Sequence, residues 1–286
     1  GFWFFAFPRK VVEEIGLPLP YFIKVDDMEF CIRITRRLGG KIVAFPSIGV
    51  WHEPFYNKVI IWDSYYYIRN NLITHSVYDT INYINTIFRF TKDLIFSLLI
   101  FEYNYAALIV RAFEDYLKGP SVIKSNTPEV LHKEILALTK SYKTQSIQSN
   151  YSPPKEVVQT KDRASFGKKL ISLLTINGHL LPNFLDSEGE VFMWQTSEHS
   201  GVRSRAFRKK KVLIYREDNN CLFQNEFDKS VGIQLLVRWV KAVATSSFKW
   251  GATMAEWKAA YAEFTSTKFW QQYLGLKDKT NSKVEA

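Results

Sequence analysis

Apolar residues recur with a helical period along much of the chain, and a few shorter apolar runs have the character of strands. The clearest helix is predicted over 27–38, where Phe30, Ile34 and Leu38 fall on one face at intervals of four residues. The arginines of this helix, Arg33, Arg36 and Arg37, are expected to be available to solvent or to phosphate. The same reasoning predicts helices at 8–15, 61–77, 80–118, 129–139, 227–244 and 253–264, strands at 2–8, 41–45, 48–52 and 212–215, and a surface loop or linker at 141–164. This mixture is that of an α/β protein.

The composition of the chain limits the classes of partner that it is expected to bind. Aromatic residues make up 16% of the 286 residues, which suits either large aromatic cores or the binding of sugars, whose faces pack on flat rings. The formal net charge of +10 favours an anionic partner such as a nucleotide diphosphate, nucleic acid or a membrane surface. Cys31 and Cys221 are far apart in sequence, so we expect free thiols in a reducing compartment and therefore a cytoplasmic location.

Neither a signal peptide nor a membrane span is predicted. Residues 1–5 are apolar, but no basic residue precedes them. No uncharged apolar run approaches the ~18 residues that a span needs. The chain starts without Met inside a predicted strand, so we expect a fragment that lacks the N-terminal part of its protein.

Two adjacent carboxylates, Asp26 and Asp27, stand at the start of the helix predicted over 27–38. One interpretation is structural, with Asp26 as the N-cap and Glu29 completing a capping box. The other is catalytic. An inverting glycosyl transfer needs one carboxylate to take the proton from the attacking acceptor hydroxyl. In that hypothesis Asp27 is the base, and Asp26 either holds the loop or binds acceptor hydroxyls.

Two further features have both a structural and a functional interpretation. His52 ends a predicted strand and is either a hydrogen-bonded structural histidine or a metal ligand, which would need carboxylates from elsewhere. The segment 62–71 is rich in tyrosine and holds Arg69. It is either an aromatic packing helix or a site where Arg69 faces a diphosphate, with Tyr66 and Asn70 bonding nearby.

At these residues the chain resembles the second half of a family-2 inverting glycosyltransferase, and most of all the mycobacterial type of polymerising galactofuranosyltransferase. The resemblance lies in the segments 2–9, 14–20, 22–27, 50–52 and 67–70, with weaker matches at Trp239, 262–266 and Trp270. It therefore spans most of the chain but is specific mainly in the first 75 residues.

The resemblance implies a GT-A (Rossmann-like) fold whose C-terminal part covers 1–78, followed by a helix-rich domain over 79–286 with a strand region at about 176–222. It implies UDP-galactofuranose as donor, a lipid-linked or other glycan as acceptor, and Mn²⁺ or Mg²⁺ as cofactor. By position, Asp27 matches the general base and Asp26 its acceptor-binding neighbour, while His52 matches the metal ligand. Phe2 and Trp3 match a pair of tryptophans that hold the acceptor sugar.

The sequence also departs from the family pattern. Phe2 stands where the first of those tryptophans is expected, and Val25 stands where another tryptophan precedes the paired aspartates. Both positions concern the acceptor, so its identity and the linkage stay open. The family's Asp-rich metal motif has no counterpart here, so we expect this chain alone to bind nucleotide poorly and not to turn over.

A basic run over 203–211 contains six cations in nine residues. It is either a solvated loop or strand edge, or a contact for anionic lipid head groups. Three other functions stay open beside galactofuranosyl transfer. They are transfer of another sugar such as rhamnose or glucose in capsule or exopolysaccharide synthesis, a non-catalytic glycan-binding module, and nucleic-acid binding. The last is disfavoured because basic and aromatic residues are not interleaved. A homo-oligomer is compatible with all of them.

Overall fold

The computed structural model of the chain describes residues 5–41, 43, 45, 49, 51, 61–125, 127–142, 144–148, 165–182, 188–195, 200–216 and 221–276. Its α-helices are α1 (Arg9–Ile15), α2 (Asp26–Leu38), α3 (Asp63–Val77), α4 (Tyr83–Leu98), α5 (Tyr103–Leu117), α6 (Ser121–Lys124), α7 (Pro128–Lys140), α8 (Phe166–Leu174), α9 (Lys229–Phe264) and α10 (Thr267–Tyr273). Short 3₁₀ helices span Ile176–Gly178 and Ser200–Ala206. Together with the four-stranded sheet described below, these helices confirm the mixed α/β class.

Helix α5 forms the centre of the core. It is apolar on nearly every side, and its residues 106–110 are completely buried. Helices α3, α4, α7 and α9 pack around it. The same core runs from Leu19 to Phe269, so it is continuous across the predicted domain boundary at 78–79, and that division stays a prediction.

A four-stranded sheet lies beside this helical core. Its strands are β1 (Thr144–Gln148), β2 (Glu190–Gln195), β3 (Lys211–Arg216) and β4 (Cys221–Glu226), in the order β1-β4-β3-β2. β4 is antiparallel to both of its neighbours, and β2 runs parallel to β3. The buried Asn225 of β4 donates its amide to the carbonyl of Ile100, 2.8 Å away, and so ties the sheet to the end of α4.

Three sequence predictions need correction. The helix predicted over 80–118 is two helices, because the chain turns at 99–102, where Phe101 has a φ of +62°. The helices predicted at 227–244 and 253–264 are one helix, α9, of 36 residues. The loop predicted at 141–164 contains β1. The strands predicted at 2–8, 41–45 and 48–52 fall partly outside the described residues, and the described positions among them carry no strand.

Cys31 and Cys221 form no disulfide among the described residues, as predicted, and both are buried. Among the described helices, none combines the length and the apolar character that crossing a membrane requires.

His179 is buried where α5 and α9 meet. Its Nδ1–H donates to the carbonyl of Ile176, so its Nε2 accepts from the Tyr103 hydroxyl at 2.8 Å. A Cβ on Gly232 of α9 would come within 2.0 Å of the ring, so this approach requires glycine. Burial lowers the pKa of His179 to about 4, which keeps the ring neutral.

We expect this histidine to make the fold less stable as the pH falls. Its pKa is about 4 in the folded state and ~6.5 in the unfolded chain. The unfolded state therefore binds more protons between these pH values. The free energy of unfolding should fall by about 2 kcal/mol from pH 7 to pH 5. Urea unfolding at both pH values measures this. His179→Gln should be less stable at pH 7 and lose less on acidification than wild type, and an equal loss would contradict the assignment.

Candidate functional site

Helix α2 begins at Asp26, so the carboxylate pair occupies its first turn together with Glu29. Asp26 is exposed and Asp27 is half-buried. One carboxylate oxygen of Asp27, Oδ1, accepts a hydrogen bond from the backbone N–H of Met28 at 2.8 Å. The positive end of the helix dipole favours carboxylates at this position. The pair is thus held at the rim of the fold where it can meet a ligand.

The capping-box interpretation of these residues is wrong. The N-cap residue is Val25, and no side chain caps the helix. Asp26 is already helical, and Glu29 turns inward to pair with Arg33. Helix capping therefore does not explain why two aspartates stand here.

The loop that delivers the carboxylate pair is strained. Phe22, Lys24 and Val25 have φ angles of +68°, +67° and +71°. A left-handed backbone costs a non-glycine residue roughly 1–2 kcal/mol, and it is especially unfavourable for a β-branched valine. Such conformations persist only where the surroundings hold them, and they are concentrated at functional sites.

Helix α3 holds this loop. The buried amide nitrogen of Asn70, Nδ2, lies 2.9 Å from the carbonyl oxygens of both Ile23 and Lys24. Arg69 approaches the carbonyl of Tyr21 at 3.4 Å, and Lys24 forms an ion pair with Asp63 at 3.1 Å. These contacts fix the chain immediately before Asp26.

The three residues predicted to bind diphosphate are therefore close to the carboxylate pair in the fold. Arg69 is only 1% exposed; it lies over the rings of Tyr65 and Tyr66 and bonds the side chains of Tyr65 and Asn70. The hydroxyl of Tyr66 lies 3.2 Å from Nδ1 of His132. The structure gives Arg69 and Asn70 a positioning role at the loop. Contact of these side chains with a diphosphate stays a prediction.

A buried ion pair anchors the other side of α2. Glu29 and Arg33 are both completely buried and bond through two pairs of atoms. Arg33 also donates to the carbonyl oxygens of Ile15 and Leu17, at 3.2 and 2.7 Å. Burial acts to lower the pKa of the Arg33 guanidinium, but Glu29 raises it above its ordinary value, so the pair stays charged. The sequence prediction that Arg33 faces solvent or phosphate is wrong.

The C-terminal helices complete this anchor. The hydroxyl of Tyr261 in α9 donates to Oε1 of Glu29 at 3.4 Å, beside the hydroxyl of Tyr78 from the end of α3 at 2.8 Å. The N–H of Leu17 donates to the carbonyl of Thr265 at 2.9 Å, and Trp270 of α10 donates to the carbonyl of Pro18. The carboxylate helix is thus fixed by residues more than 200 positions away. In the sequence, the indication of this anchor is the spacing of Glu29 and Arg33, which are opposite in charge and four residues apart on a helix.

Three predicted site residues, Phe2, Trp3 and His52, lie outside the described residues. Within the part of the chain that the structure describes, no three histidine, cysteine, aspartate or glutamate side chains are grouped so that they could hold a metal ion. The predicted acceptor and metal contacts of these three residues stay predictions.

Comparison of the sequence with known proteins finds two similar glycosyltransferases. A segment of 136 residues is 35% identical to galactofuranosyltransferase GlfT2 of Mycolicibacterium smegmatis, and one of 139 residues is 32% identical to GlfT2 of Mycobacterium tuberculosis. Each match covers 46% of this chain. The chain is partly homologous to glycosyltransferases. It matches about a fifth of the length of these relatives, 21% and 22% respectively. No protein-family model matches.

We expect replacement of Asn70 to lower the stability of the fold. Asn70→Ala removes the side-chain donor that bonds the carbonyls of Ile23 and Lys24, which should destabilise the fold by about 1–3 kcal/mol and disorder the loop before Asp26. Asn71→Ala is a matched control, because its amide nitrogen bonds only the carbonyl of Tyr67, four residues earlier. Urea unfolding of the two variants makes the comparison. Equal losses would show that Asn70 does not hold the loop.

Proposed function

We propose that this chain is part of an inverting hexosyltransferase that moves galactofuranose from UDP-galactofuranose onto a growing cell-surface glycan. The observation that carries the proposal is Asp27, a half-buried carboxylate at a helix start, presented by a strained loop that α3 holds. Partial homology to galactofuranosyltransferases supports the class of reaction. The chain matches only a fifth of those proteins, so donor and acceptor are part of the proposal.

In the proposed reaction Asp27 accepts the proton of the acceptor hydroxyl as that oxygen attacks the anomeric carbon. The nucleoside diphosphate leaves from the opposite side, so the configuration at that carbon inverts. Exposed Asp26, on the same helical turn, binds a hydroxyl of the acceptor and orients it. Phe2 and Trp3 are proposed to pack on the acceptor sugar.

The proposed fold and cofactor complete this assignment. We propose a GT-A arrangement for 1–78 on the strength of the resemblance alone, because the strands that the structure describes lie at 144–226. Mn²⁺ or Mg²⁺, with His52 as a ligand, would counter the charge of the diphosphate. The described residues do not by themselves form a site for such an ion, so no step above depends on it.

A donor panel tests the proposed function. The complete protein that carries this chain is incubated with Mn²⁺, a galactofuranosyl lipid acceptor and one of several donors, and product is measured by mass spectrometry. Turnover with UDP-galactofuranose is expected to exceed that with dTDP-rhamnose and UDP-glucose. Preference for another donor would assign capsule or exopolysaccharide chemistry, and no turnover with any donor would leave a glycan-binding module.

We also propose that the basic run meets anionic lipid head groups, where a lipid-linked acceptor would be anchored. Arg208 and Lys210 are exposed, and helix α8, which packs beside the 3₁₀ helix of this run, exposes Phe166 and Leu174. Cations next to exposed apolar side chains suit the surface of a bilayer. Arg203 does not take part, because its guanidinium lies 4.5 Å from the ring of Phe96.

Vesicle binding tests this contact. The double variant Arg208→Gln/Lys210→Gln should bind vesicles containing phosphatidylglycerol on the order of thirtyfold more weakly, since each cation near the surface is worth about 1 kcal/mol. The effect should shrink in high salt. Lys133→Gln/Lys140→Gln removes two exposed cations from α7 and is the matched control. Equal weakening in both would indicate net charge rather than this surface.

A further inference from the structure

A cavity of about 120 Å³ lies on the side of α3 that does not hold the carboxylate loop. Residues 67–75 of α3 form one wall, α4 forms the second with residues 86–93, and Tyr105 of α5 contributes to the third. The volume corresponds to about four water molecules. It suits one ring of a ligand rather than a nucleotide.

Three polar side chains that line the cavity, Asn71, His75 and Thr86, bond other residues of the fold, whereas several others do not. Arg89 and Asp93 are one helical turn apart on α4, a spacing at which opposite charges usually pair. Yet among the residues that the structure describes, neither side chain has a hydrogen bond or an ion pair with the protein. Within the same residues, the hydroxyls of Tyr67 and Tyr105 are equally uncommitted. The cavity therefore offers a ligand both charged and neutral hydrogen-bonding groups.

The charges of the cavity select against an anion. Arg89 and Asp93 are opposite in sign, so they largely cancel at the opening. Burial, and then the nearby Arg89, lower the pKa of His75, so its ring is neutral at pH 7. A phosphate would meet the carboxylate of Asp93, whereas a neutral ligand could bond both charged groups.

The floor of the cavity is apolar and aromatic. Leu72, Ile81 and Phe90 line it together with Tyr67, which is 44% exposed. A sugar matches this lining. Its C–H face packs on aromatic rings, and its hydroxyls accept hydrogen bonds from a guanidinium and donate them to a carboxylate.

We propose that this cavity between α3, α4 and α5 binds one neutral sugar ring of a glycan. Helix α3 then serves two sites, because Arg69 and Asn70 hold the carboxylate loop while Tyr67 and Asn71 face the sugar. A second contact of this kind would retain a glycan chain beyond the unit that reacts. The site does not depend on transfer chemistry, and only the choice of galactofuranose as probe rests on the proposed function.

Binding of a galactofuranosyl disaccharide to the full chain, measured by titration calorimetry, tests the proposal. Glucosyl and rhamnosyl disaccharides and inorganic phosphate are measured in parallel. Asp93→Ala and Arg89→Ala should each raise the Kd on the order of tenfold, the effect of losing a hydrogen bond to a charged group. Both side chains are at least partly exposed, so the fold should survive, which circular dichroism checks.

Two controls separate this site from its surroundings. Lys92→Ala removes an exposed cation of α4 that does not line the cavity, and it should leave the Kd unchanged. Asp27→Asn alters the carboxylate pair, where the same disaccharide would bind as a transfer acceptor, so an effect of this variant reports on that site and not on the cavity. The proposal is overturned if no disaccharide binds, if Asp27→Asn weakens binding while Asp93→Ala does not, or if phosphate binds and the sugars do not.

Discussion

Replacing Asp27 with asparagine is expected to lower kcat by about 10²- to 10⁴-fold, the range that a positioned general base contributes. The side chain keeps its size and can still accept the hydrogen bond from the N–H of Met28, so the start of α2 should not change. The amide cannot take a proton from the acceptor hydroxyl. Steady-state kinetics of the complete protein with UDP-galactofuranose and a galactofuranosyl acceptor measures the loss.

Asp26→Asn is the matched control, because it removes the same charge from the neighbouring residue of the same helical turn. It should raise the KM for the acceptor more than it lowers kcat, since Asp26 is proposed to bind and not to react. If Asp27→Asn retained kcat while Asp26→Asn lost it, the roles of the two carboxylates would be reversed. If neither variant lost activity, the base would lie elsewhere.

Replacing Arg33 with methionine is expected to destabilise the fold by about 3–5 kcal/mol, because it leaves the buried carboxylate of Glu29 without its cation. It also deprives the carbonyls of Ile15 and Leu17 of a donor. Urea unfolding followed by far-ultraviolet circular dichroism measures the loss. Because this pair anchors α2, the surviving folded protein should also lose activity.

Two further variants make that result specific. Arg36→Met removes an exposed arginine from the same helix and should cost within about 1 kcal/mol. Glu29→Gln/Arg33→Met should cost less than the sum of its single variants, since each single change strands a charged or polar partner. Additive single effects, or an Arg33→Met loss no larger than that of Arg36→Met, would contradict a coupled buried pair.

The sequence predicted helix α2 well because the information is local. Phe30 and Ile34 face the core at helical spacing, and Gly39 ends the helix in a left-handed conformation that glycine adopts easily. The adjacent aspartates could therefore be placed at its start before the fold was known. A continuous apolar period is also why α1, α3 and α7 were predicted nearly correctly.

The errors have non-local causes. The apolar period continues through 99–102, but the side chains of Asn177 and Asn225 bond the carbonyls of Leu99 and Ile100 and stabilise the turn. The gap predicted between 244 and 253 contains Gly251, but glycine in a helix costs only about 1 kcal/mol. The packing of buried Trp239 and Trp257 on either side stabilises one continuous helix.

The support of the candidate site could be predicted even less. Nothing in the sequence around Asn70 indicates that its amide reaches carbonyls 46 and 47 residues away. Arg33 looked like a surface arginine because its partners Ile15, Tyr78 and Tyr261 come from separate elements. Residue types predicted the chemistry at Asp27, whereas the contacts that hold it there depend on the tertiary fold.

The most direct test of the central claim is the structure of the product that the complete protein forms from UDP-galactofuranose. Nuclear magnetic resonance of that product gives both the sugar added and the configuration of the new bond. We expect added galactofuranose with inverted configuration for wild type, and almost no product in the same time for Asp27→Asn. Retained configuration, or equal product from Asp27→Asn, would contradict direct displacement assisted by this carboxylate.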